Sequence, residues 1–391
     1  MYIIRLCLLA AMLVGSSGTL HAQYFAEGVV QDANTGAPLT GASVYINNST
    51  RGTITNADGL FTLGPLQPGA YEIIVTYVGY EALVYNAVLT KNVRLEFRLT
   101  PARRQLPDVL ILTEATRLKY LDIFRKNLLG FTAEAQRCRI RNLEAVQFAA
   151  GTGSNDIRAF CNSELVIENP SLGYTIYFQL TDFYFNPEGN YCFFYGYTRF
   201  VDRINAQKPQ QRWLNRRRQV YMGSSQHFFR SLVNRSLAEE GFTVQQLQTV
   251  TRTRKEALAA APAQIQLPKG QHLKLDDSVQ VKLAFAVHAD SLLQPVTQAG
   301  LTVYQLLVPE LRVLYKDRTL LHSEVAAQQF LLRQPKTGTE NGLRKKDEPV
   351  LLDATGRLLT PANLLYDGIW AFERLAYMLP DDYEPLPATK R

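Results

Sequence analysis

Four arginines near the middle of the chain have the residue types and spacing for binding an anion. The stretch "QRWLNRRRQVYMGSSQHFFRSLVNRSLAEEGF" predicts a helix that is capped by Ser224 or Ser225, after the arginines, and that ends at Gly241. These are Arg212, Arg216, Arg217 and Arg218. Planar guanidinium groups beside the free amides of a helix N-terminus favour carboxylate or phosphate. Alternatively, adjacent arginines point to different faces and only solvate the structure around them.

A hydroxyl and an imidazole follow at Ser225 and His227, and they raise the alternative of a hydrolase. The sequence specifies no acidic partner for them, and it contains neither G-x-S-x-G nor S-x-x-K. The glycine-rich "GTGSN" at 151–155 lacks the Lys-Ser/Thr of a phosphate loop. We therefore favour a non-catalytic protein and keep Ser225 and His227 as the alternative catalytic residues.

Metal chemistry has little support in the sequence. Beyond the first 22 residues the histidines are His227, His272, His288 and His322. None is followed by Glu three positions later, so the H-x-x-E pair of a zinc carboxypeptidase is missing. Asn56 and Asp58 could bind calcium, but an Asx turn explains them better. We predict no metal site and no cofactor.

Aromatic residues are concentrated between 174 and 200, in "YTIYFQLTDFYFNPEGNYCFFYGYTRF". The alternation predicts two strands joined at "NPEGN". Tyr174, Tyr177, Tyr184 and Tyr195 could form a platform for carbohydrate. The other interpretation, which we favour, is that these rings are cross-strand pairs of a core.

The elements around these residues follow from length and patterning. The chain has 391 residues, 46% hydrophobic and 20% charged, which is typical of globular domains. Residues 1–22 have one basic residue, a short apolar run and small residues, which predicts a secretory signal peptide. We expect no transmembrane segment in the mature chain. Cys138, Cys161 and Cys192 then remain, and either one disulfide or three buried thiols would be compatible.

Residues 23–100 alternate as seven short runs between turn residues, which predicts a β-sandwich. The stretch "GVVQDANTGAPLTGASVYINNSTRGTITNADGLFTLGPLQPGAYEIIVTYVGYE" resembles the carboxypeptidase-regulatory-like domain. This resemblance implies a seven-stranded Greek-key, transthyretin-like fold. In metallocarboxypeptidases such a sandwich is an appendage without the zinc site. It also precedes the membrane part of TonB-dependent receptors in Bacteroidota, although too little sequence follows here to expect a receptor.

After a linker at 101–113, residues 114–391 predict an α+β domain with an antiparallel sheet and a few helices. "EATRLKYLDIFRKNLLG" predicts a helix with Leu118, Leu121, Phe124 and Leu128 on one face. The order of segments resembles that of secreted Bacteroidota proteins with a carboxypeptidase-like regulatory domain. The resemblance implies the cell envelope and transfers no active site to this chain.

These observations predict an exported, non-catalytic binding or scaffolding protein of the periplasm or outer membrane. The net charge of +7 is compatible with an envelope protein, an anionic glycan or a lipid as partner. Export makes nucleic acid an unsuitable target. An envelope hydrolase of unrecognised type and a carbohydrate-binding protein remain the two alternatives.

Overall fold

The computed structural model describes most of the chain after the predicted leader. The described residues are 23–102, 110, 112–150, 156–187, 191–204, 210–253, 255, 278–315, 340–345, 348–368, 370 and 374–385. Strands are the main secondary structure and make up 46% of these residues, in largely antiparallel sheets. Four helices accompany them. This confirms the predicted fold class, a strand-rich N-terminal domain followed by an α+β region. The predicted signal peptide lies outside the described residues.

Seven strands form the N-terminal sandwich. They are β1 (Tyr24–Asp32), β2 (Ser43–Ile46), β3 (Gly52–Ile54), β4 (Leu60–Leu66), β5 (Gly69–Thr76), β6 (Leu83–Leu89) and β7 (Val93–Leu99). One sheet has the order β4-β1-β7, with β1 and β7 parallel, and the other has the order β3-β2-β5-β6. Alternate side chains of the two sheets, such as Val30, Val44, Phe61 and Val75, meet in the core.

The outer face of the second sheet is buried as well. Tyr45 and Ile74 are opposite one another in β2 and β5, lie outside the sandwich core and are fully buried. The Arg199 guanidinium, from a later strand, lies 5.7 Å from the Tyr45 ring centroid. The sandwich therefore packs against the rest of the molecule through this sheet.

The second region contains four helices and fourteen strands among its described residues. The helices are α1 (Glu114–Leu129), α2 (Ala133–Arg137), α3 (Gln211–Tyr221) and α4 (Ser225–Val233). Strands of the first sheet are β8 (Arg139–Ile140), β9 (Gln147–Ala150), β10 (Ile157–Phe160), β11 (Leu165–Asn169), β12 (Tyr174–Asn186) and β13 (Tyr191–Asp202). The remaining strands are β14 (Phe242–Thr253), β15 (Ser278–Ala286), β16 (Leu293–Gln298), β17 (Leu301–Leu306), β18 (Glu310–Tyr315), β19 (Glu340–Lys345), β20 (Val350–Leu352) and β21 (Leu364–Gly368). None of the described helices has the length and hydropathy required to cross a bilayer.

Two hydrophobic cores occupy this region. One lies between the β8–β13 sheet and α1, and it includes Phe124, Phe183 and Leu375. The other surrounds α4 and the strands of the β14 sheet, with Phe228, Val313 and Trp370. The division of the chain into domains stays a prediction.

Helix α1 covers the predicted segment, from Glu114 to Leu129, and Gly130, whose φ is 108°, follows it; the Thr113 side chain caps its first turn. The predicted apolar face is wrong at Leu118, which is 61% exposed. Phe124, Leu128 and Leu129 are buried instead. Helical spacing gives the direction of a side chain but not the extent of the surface beneath it, and that surface covers Tyr120 and Leu121 but does not reach Leu118.

The segment 375–385 connects the three cores. Leu375 and Leu379 belong to the first core. The Asp381 amide donates to the Asn48 carbonyl at 2.7 Å, and the Asn48 side-chain amide donates back to the Asp381 carboxylate at 2.7 Å. Arg230 of α4 donates to the Asp381 carbonyl at 2.7 Å. This segment therefore holds the sandwich against the second region.

Candidate anion-binding site

The four predicted arginines lie on a helix of their own, α3, rather than in a segment that leads into the next helix. Gly223, with φ 74°, separates α3 from α4. Ser224 caps α4 as predicted, because its hydroxyl accepts from the His227 amide at 3.1 Å. The predicted end of α4 at Gly241 is wrong, since the helix ends at Val233. On α3, Arg212 and Arg216 share one face at a spacing of four residues.

Arg217 faces the interior and is 3% exposed. Its two terminal nitrogens donate to the two carboxylate oxygens of Asp202, both at 2.8 Å. Its Nε donates to the Leu172 carbonyl at 2.7 Å, and its guanidinium lies 3.7 Å from the Tyr174 ring centroid. These contacts attach α3 to β12 and β13, so Arg217 has a structural position and does not face solvent.

Arg212 and Arg216 line an open cleft of about 400 Å³. We call it the arginine cleft. Its lining residues are Glu134, Arg137, Pro170, Ser171, Arg212, Trp213 and Arg216. They come from α2, from the turn between β11 and β12, and from the first half of α3. Three guanidinium groups thus face one carboxylate.

The β11–β12 turn and Trp213 form a fixed floor for the cleft. The Trp213 indole nitrogen donates to the Pro170 carbonyl at 2.9 Å. Gly173 lets the indole approach closely, because a Cβ there would lie 2.2 Å from the ring. Asn169 shapes the same turn, since its side-chain oxygen accepts from the Ser171 and Leu172 amides at 3.1 and 3.0 Å. The floor is therefore rigid without a ligand.

Glu134 holds Arg216 in place at one wall. Its carboxylate lies 2.7 Å from an Arg216 nitrogen and accepts from the Tyr377 hydroxyl at 2.7 Å. Burial would raise the pKa of Glu134, but the Tyr377 hydrogen bond and the Arg216 charge hold it below its ordinary value. Glu134 is thus ionised at neutral pH, and Arg216 is oriented before any ligand arrives.

The other two arginines of the cleft are more open. Arg137 and Arg212 are exposed. Arg212 donates to the Gln210 side chain at 3.1 Å, and its guanidinium lies 5.5 Å from the Trp213 ring. The Ser171 hydroxyl oxygen is buried and has no hydrogen-bond partner among the described residues. Gln210 precedes α3, and no side chain in the described part of the chain caps the first amides of this helix, which are donors suited to an anion.

Arg218 lies on a different side of α3, close to Tyr383. Burial raises the pKa of the Tyr383 phenol to about 12, and the charges of Arg217 and Arg218 oppose this rise. The structure therefore brings Arg212 and Arg216 into one cleft and places Arg217 and Arg218 elsewhere.

Ser225 and His227 have separate partners. The His227 Nδ1 accepts from the Gly223 amide at 3.0 Å, and Nε2 lies 3.1 Å from a Glu240 carboxylate oxygen. This pattern assigns the proton to Nε2. Ser225 hydrogen-bonds Tyr366. Because both ring nitrogens are engaged, neither is available to accept a proton from a serine hydroxyl.

The four tyrosines of the aromatic hairpin divide into buried and open rings. Tyr174 is 2% exposed, and the Arg199 guanidinium covers the Tyr177 ring at 3.9 Å. The Tyr184 hydroxyl donates to Asp156 at 2.6 Å. Tyr195 is 37% exposed. Tyr174 and Tyr177 are thus unavailable to a glycan, whereas Tyr195 is accessible.

The three cysteines and Asn56 are the other residues that the sequence suggests for redox or metal chemistry. Cys138, Cys161 and Cys192 are free thiols, of which Cys138 and Cys161 are buried and Cys192 is half-buried, so neither a disulfide nor three fully buried thiols is present among them. Burial raises the pKa of Cys138 to about 12 and that of Cys192 to about 11. In the described part of the chain, no group of three or more His, Cys, Asp or Glu side chains could hold a metal ion. Asn56 forms the predicted Asx turn, accepting from the Asp58 and Leu60 amides at 3.0 and 2.9 Å.

Comparison with known proteins identifies the sandwich. Residues 26–111 match the model of the CarboxypepD_reg-like domain. The TonB-dependent receptor SusC of Bacteroides thetaiotaomicron is 31% identical over 108 residues, which are 28% of this chain and 10% of the receptor. The chain thus spans about a tenth of the curated relative that it matches. Together the two matches support an envelope-associated protein.

Two solved structures are similar over parts of their chains. A putative membrane-associated protein of unknown function from Bacteroides fragilis covers 76% of this chain and 92% of its own, with 12% identity and a TM-score of 0.18. A type II Cohesin-X-Dockerin complex of Acetivibrio cellulolyticus covers 19% of this chain and 52% of its own, with 22% identity and a TM-score of 0.17. TM-scores this low do not define a shared fold.

Proposed function

Since residues 26–111 are a CarboxypepD_reg-like domain, we propose that this chain is a non-catalytic binding or scaffolding protein of the periplasm or outer membrane. Its second region holds an acidic group of an envelope component in the arginine cleft. One observation carries the proposal. Three guanidinium groups line a cleft whose only carboxylate, among the described lining residues, is already paired with one of them.

The arrangement favours an anion for electrostatic reasons. Arg137 and Arg212 are exposed, so a carboxylate or phosphate can reach them without breaking an ion pair inside the protein. Arg216 is positioned by Glu134, which lowers the side-chain entropy lost on binding. The buried Ser171 hydroxyl and the uncapped first turn of α3 supply further donors. The fixed floor excludes neither a phosphate nor a carboxylate.

A catalytic role has less support. A Ser225/His227 hydrolase requires an imidazole nitrogen that faces the nucleophile. In this chain Gly223 and Glu240 engage the two nitrogens of His227. The cleft itself combines arginines with a salt-bridged glutamate of lowered pKa, which is a poor general acid at neutral pH. Binding is the function that these groups support.

Equilibrium titrations of residues 23–391 with inorganic phosphate and with trigalacturonate would test the proposal. We expect the Arg137→Ala/Arg212→Ala variant to bind the preferred anion at least about tenfold more weakly, since each lost charge-assisted hydrogen bond contributes roughly 1.5–3 kcal/mol. Affinity should also fall as NaCl is raised. The two probes distinguish phosphate from carboxylate as the recognised group.

The matched control is Arg94→Ala/Arg139→Ala, which removes two exposed arginines outside the cleft. It changes the net charge equally and should leave the affinity within about twofold of wild type. Equal losses in both double variants, or no binding of either anion by the wild type, would refute an anion site in the cleft.

A further inference from the structure

We propose that the outer face of the β12–β13 hairpin is a second binding site, which takes the sugar rings of a neutral glycan chain. The arginine cleft lies at the β11–β12 turn, at the opposite end of β12 from the hairpin turn. The two sites share no residue. The glycan site therefore does not rest on the anion contact proposed above.

A row of aromatic side chains follows one face of β13. Phe193, Tyr195 and Tyr197 alternate with Cys192 and Phe194, whose side chains pack on the core. Phe193 is 42% exposed and Tyr195 is 37% exposed. The solvent face of an antiparallel sheet is ordinarily polar. Large rings on that face therefore indicate a surface with a binding role.

Polar groups lie directly beside these rings. Asp182 of β12 is opposite Tyr195, and Gln179 is opposite Tyr197. Arg158 of β10 forms an ion pair with Asp182 at 3.1 Å, and the two side chains are 53% and 38% exposed. Arg158 and Asp182 thus border Tyr195 with charges that cancel, and the Glu72 carboxylate lies near Tyr197.

The composition of this face selects the ligand. A sugar ring has an apolar face that can pack on an aromatic ring and hydroxyl groups at its edge that can bond to Arg158, Asp182 and Gln179. A purely apolar partner would instead remove water from the exposed Arg158–Asp182 pair, which is costly. Because the Arg158–Asp182 pair is neutral overall and Glu72 adds a negative charge near Tyr197, the face favours a neutral glycan over an acidic one.

The sandwich closes one end of the aromatic row. The Thr198 amide donates to the Asn47 side chain at 2.9 Å, and the Phe200 amide donates to the Ser49 carbonyl at 2.9 Å. Tyr197 is half-buried near that junction, and its ring centroid lies 5.7 Å from that of Tyr195 at an interplanar angle of 74°. A row that runs along one strand is suited to a chain of sugars rather than to a single ring.

Native affinity electrophoresis of residues 23–391 tests the proposal, with starch, xyloglucan or glucomannan in the gel and polygalacturonate as the acidic comparison. We expect at least one neutral polysaccharide to retard the wild type. Phe193→Ala/Tyr195→Ala should weaken that retardation at least about tenfold, because exposed aromatic anchors dominate such contacts. Tyr195→Phe, which keeps the ring, should retain most of it.

Val201→Ala is the matched control, since Val201 is 40% exposed on the same strand and face but lies beyond the aromatic row. It should be retarded like the wild type. Failure of all three neutral polysaccharides to retard the wild type would overturn the proposal. The proposal would also be overturned if Phe193→Ala/Tyr195→Ala were retarded as strongly as the wild type. Self-association of the wild type that this double variant abolishes would overturn it as well. Arg137→Ala/Arg212→Ala should keep the neutral retardation, so this proposal and the anion proposal can fail separately.

Discussion

The N-terminal sandwich and the region around α3 differ in what their polar side chains contact. In the sandwich, Asp32 accepts from the Asn34 and Thr35 amides at 2.7 and 2.8 Å and from the Tyr80 hydroxyl at 2.6 Å. These bonds shape turns and engage both oxygens of the Asp32 carboxylate. In the arginine cleft, Arg137 and Arg212 face solvent. The motif that makes the sandwich recognisable therefore encodes backbone geometry, while the anion binding that we propose lies in segments without a motif.

The same contrast exists within α3. Arg217 is buried in a bidentate pair, whereas Arg212, five residues earlier, is exposed at the cleft. A helix advances about 100° per residue, so neighbouring arginines have different environments. Substitutions along α3 should therefore separate stability from binding.

Arg217→Ala should have the largest effect on stability. It leaves Asp202 without its partner and the Leu172 carbonyl without a donor. Breaking a buried ion pair from one side costs about 3–5 kcal/mol, and the exposure of Asp202 places the expected loss near the lower end. Urea unfolding would measure the change. Arg212→Ala in the same assay is the control, and equal losses from both would remove the contrast between the two arginines.

Asp381→Asn should change how stability depends on pH. Burial raises the pKa of Asp381 to about 7, against 3.8 as its ordinary value, while Arg357 and Arg230 oppose the rise and Asp353 adds to it. Between about pH 4 and pH 7 the unfolded chain ionises this group before the folded chain does. The free energy of unfolding of the wild type should therefore fall by up to about 4 kcal/mol as pH rises through this window, since each pKa unit is worth about 1.4 kcal/mol.

The neutral amide that Asp381→Asn introduces does not titrate, so the variant should show a flatter profile by chemical denaturation at pH 4.5, 6 and 8. Asp382→Asn is the matched control one residue away. A wild-type profile that rises over the same window, or one that the Asp381 substitution leaves unaltered, would contradict the assignment.

Gly59→Ala should destabilise the sandwich without affecting anion binding. Gly59 has φ 71°, and a Cβ there would lie 2.6 Å from the Val30 carbonyl oxygen. Gly36 has the same φ, and a Cβ added there would meet no atom within 4 Å. Gly36→Ala therefore measures only the cost of the positive φ for a residue with a Cβ, about 1–2 kcal/mol. Thermal unfolding should show a larger loss for Gly59→Ala. Equal losses would mean that the turn relaxes around the added methyl group.

Arg212→Ala should have the smallest effect on stability, within about 0.5 kcal/mol, because its side chain is exposed. Its effect should appear in anion affinity instead. Titration with inorganic phosphate would measure this effect, and Arg218→Ala provides an arginine of the same helix outside the cleft. Loss of stability without loss of affinity would reverse the roles inferred for this residue.

The sequence predicts the sandwich well because its turns depend on local chemistry. Gly59 has a positive φ that few other residue types adopt, and the Asn56 side chain closes an Asx turn, so their spacing indicates the fold directly. The Ser224 cap and the limits of α1 are local signals of the same kind and are also correct.

The cleft could be predicted only in part. Arg212 and Arg216 are visible as a charged cluster, but Arg137 and Ser171 join them from segments distant in the chain. No sequence pattern at residues 134–137 or 170–171 indicates that these residues lie beside α3, because their position depends on how α2 and the β11–β12 turn pack. The sequence also does not reveal that Arg217 is buried, since its partner Asp202 is at the end of β13.

The most direct test of the account follows individual guanidinium groups by NMR. The Nε–H resonances of residues 23–391 would be assigned with Arg→Lys variants and followed during titration with inorganic phosphate or trigalacturonate. If an anion binds in the arginine cleft, we expect saturable shifts for Arg137, Arg212 and Arg216, together with the Trp213 indole N–H, and none for Arg217. Saturable shifts at Arg217 with none at Arg137 and Arg212, or no shift at any of these groups, would contradict it.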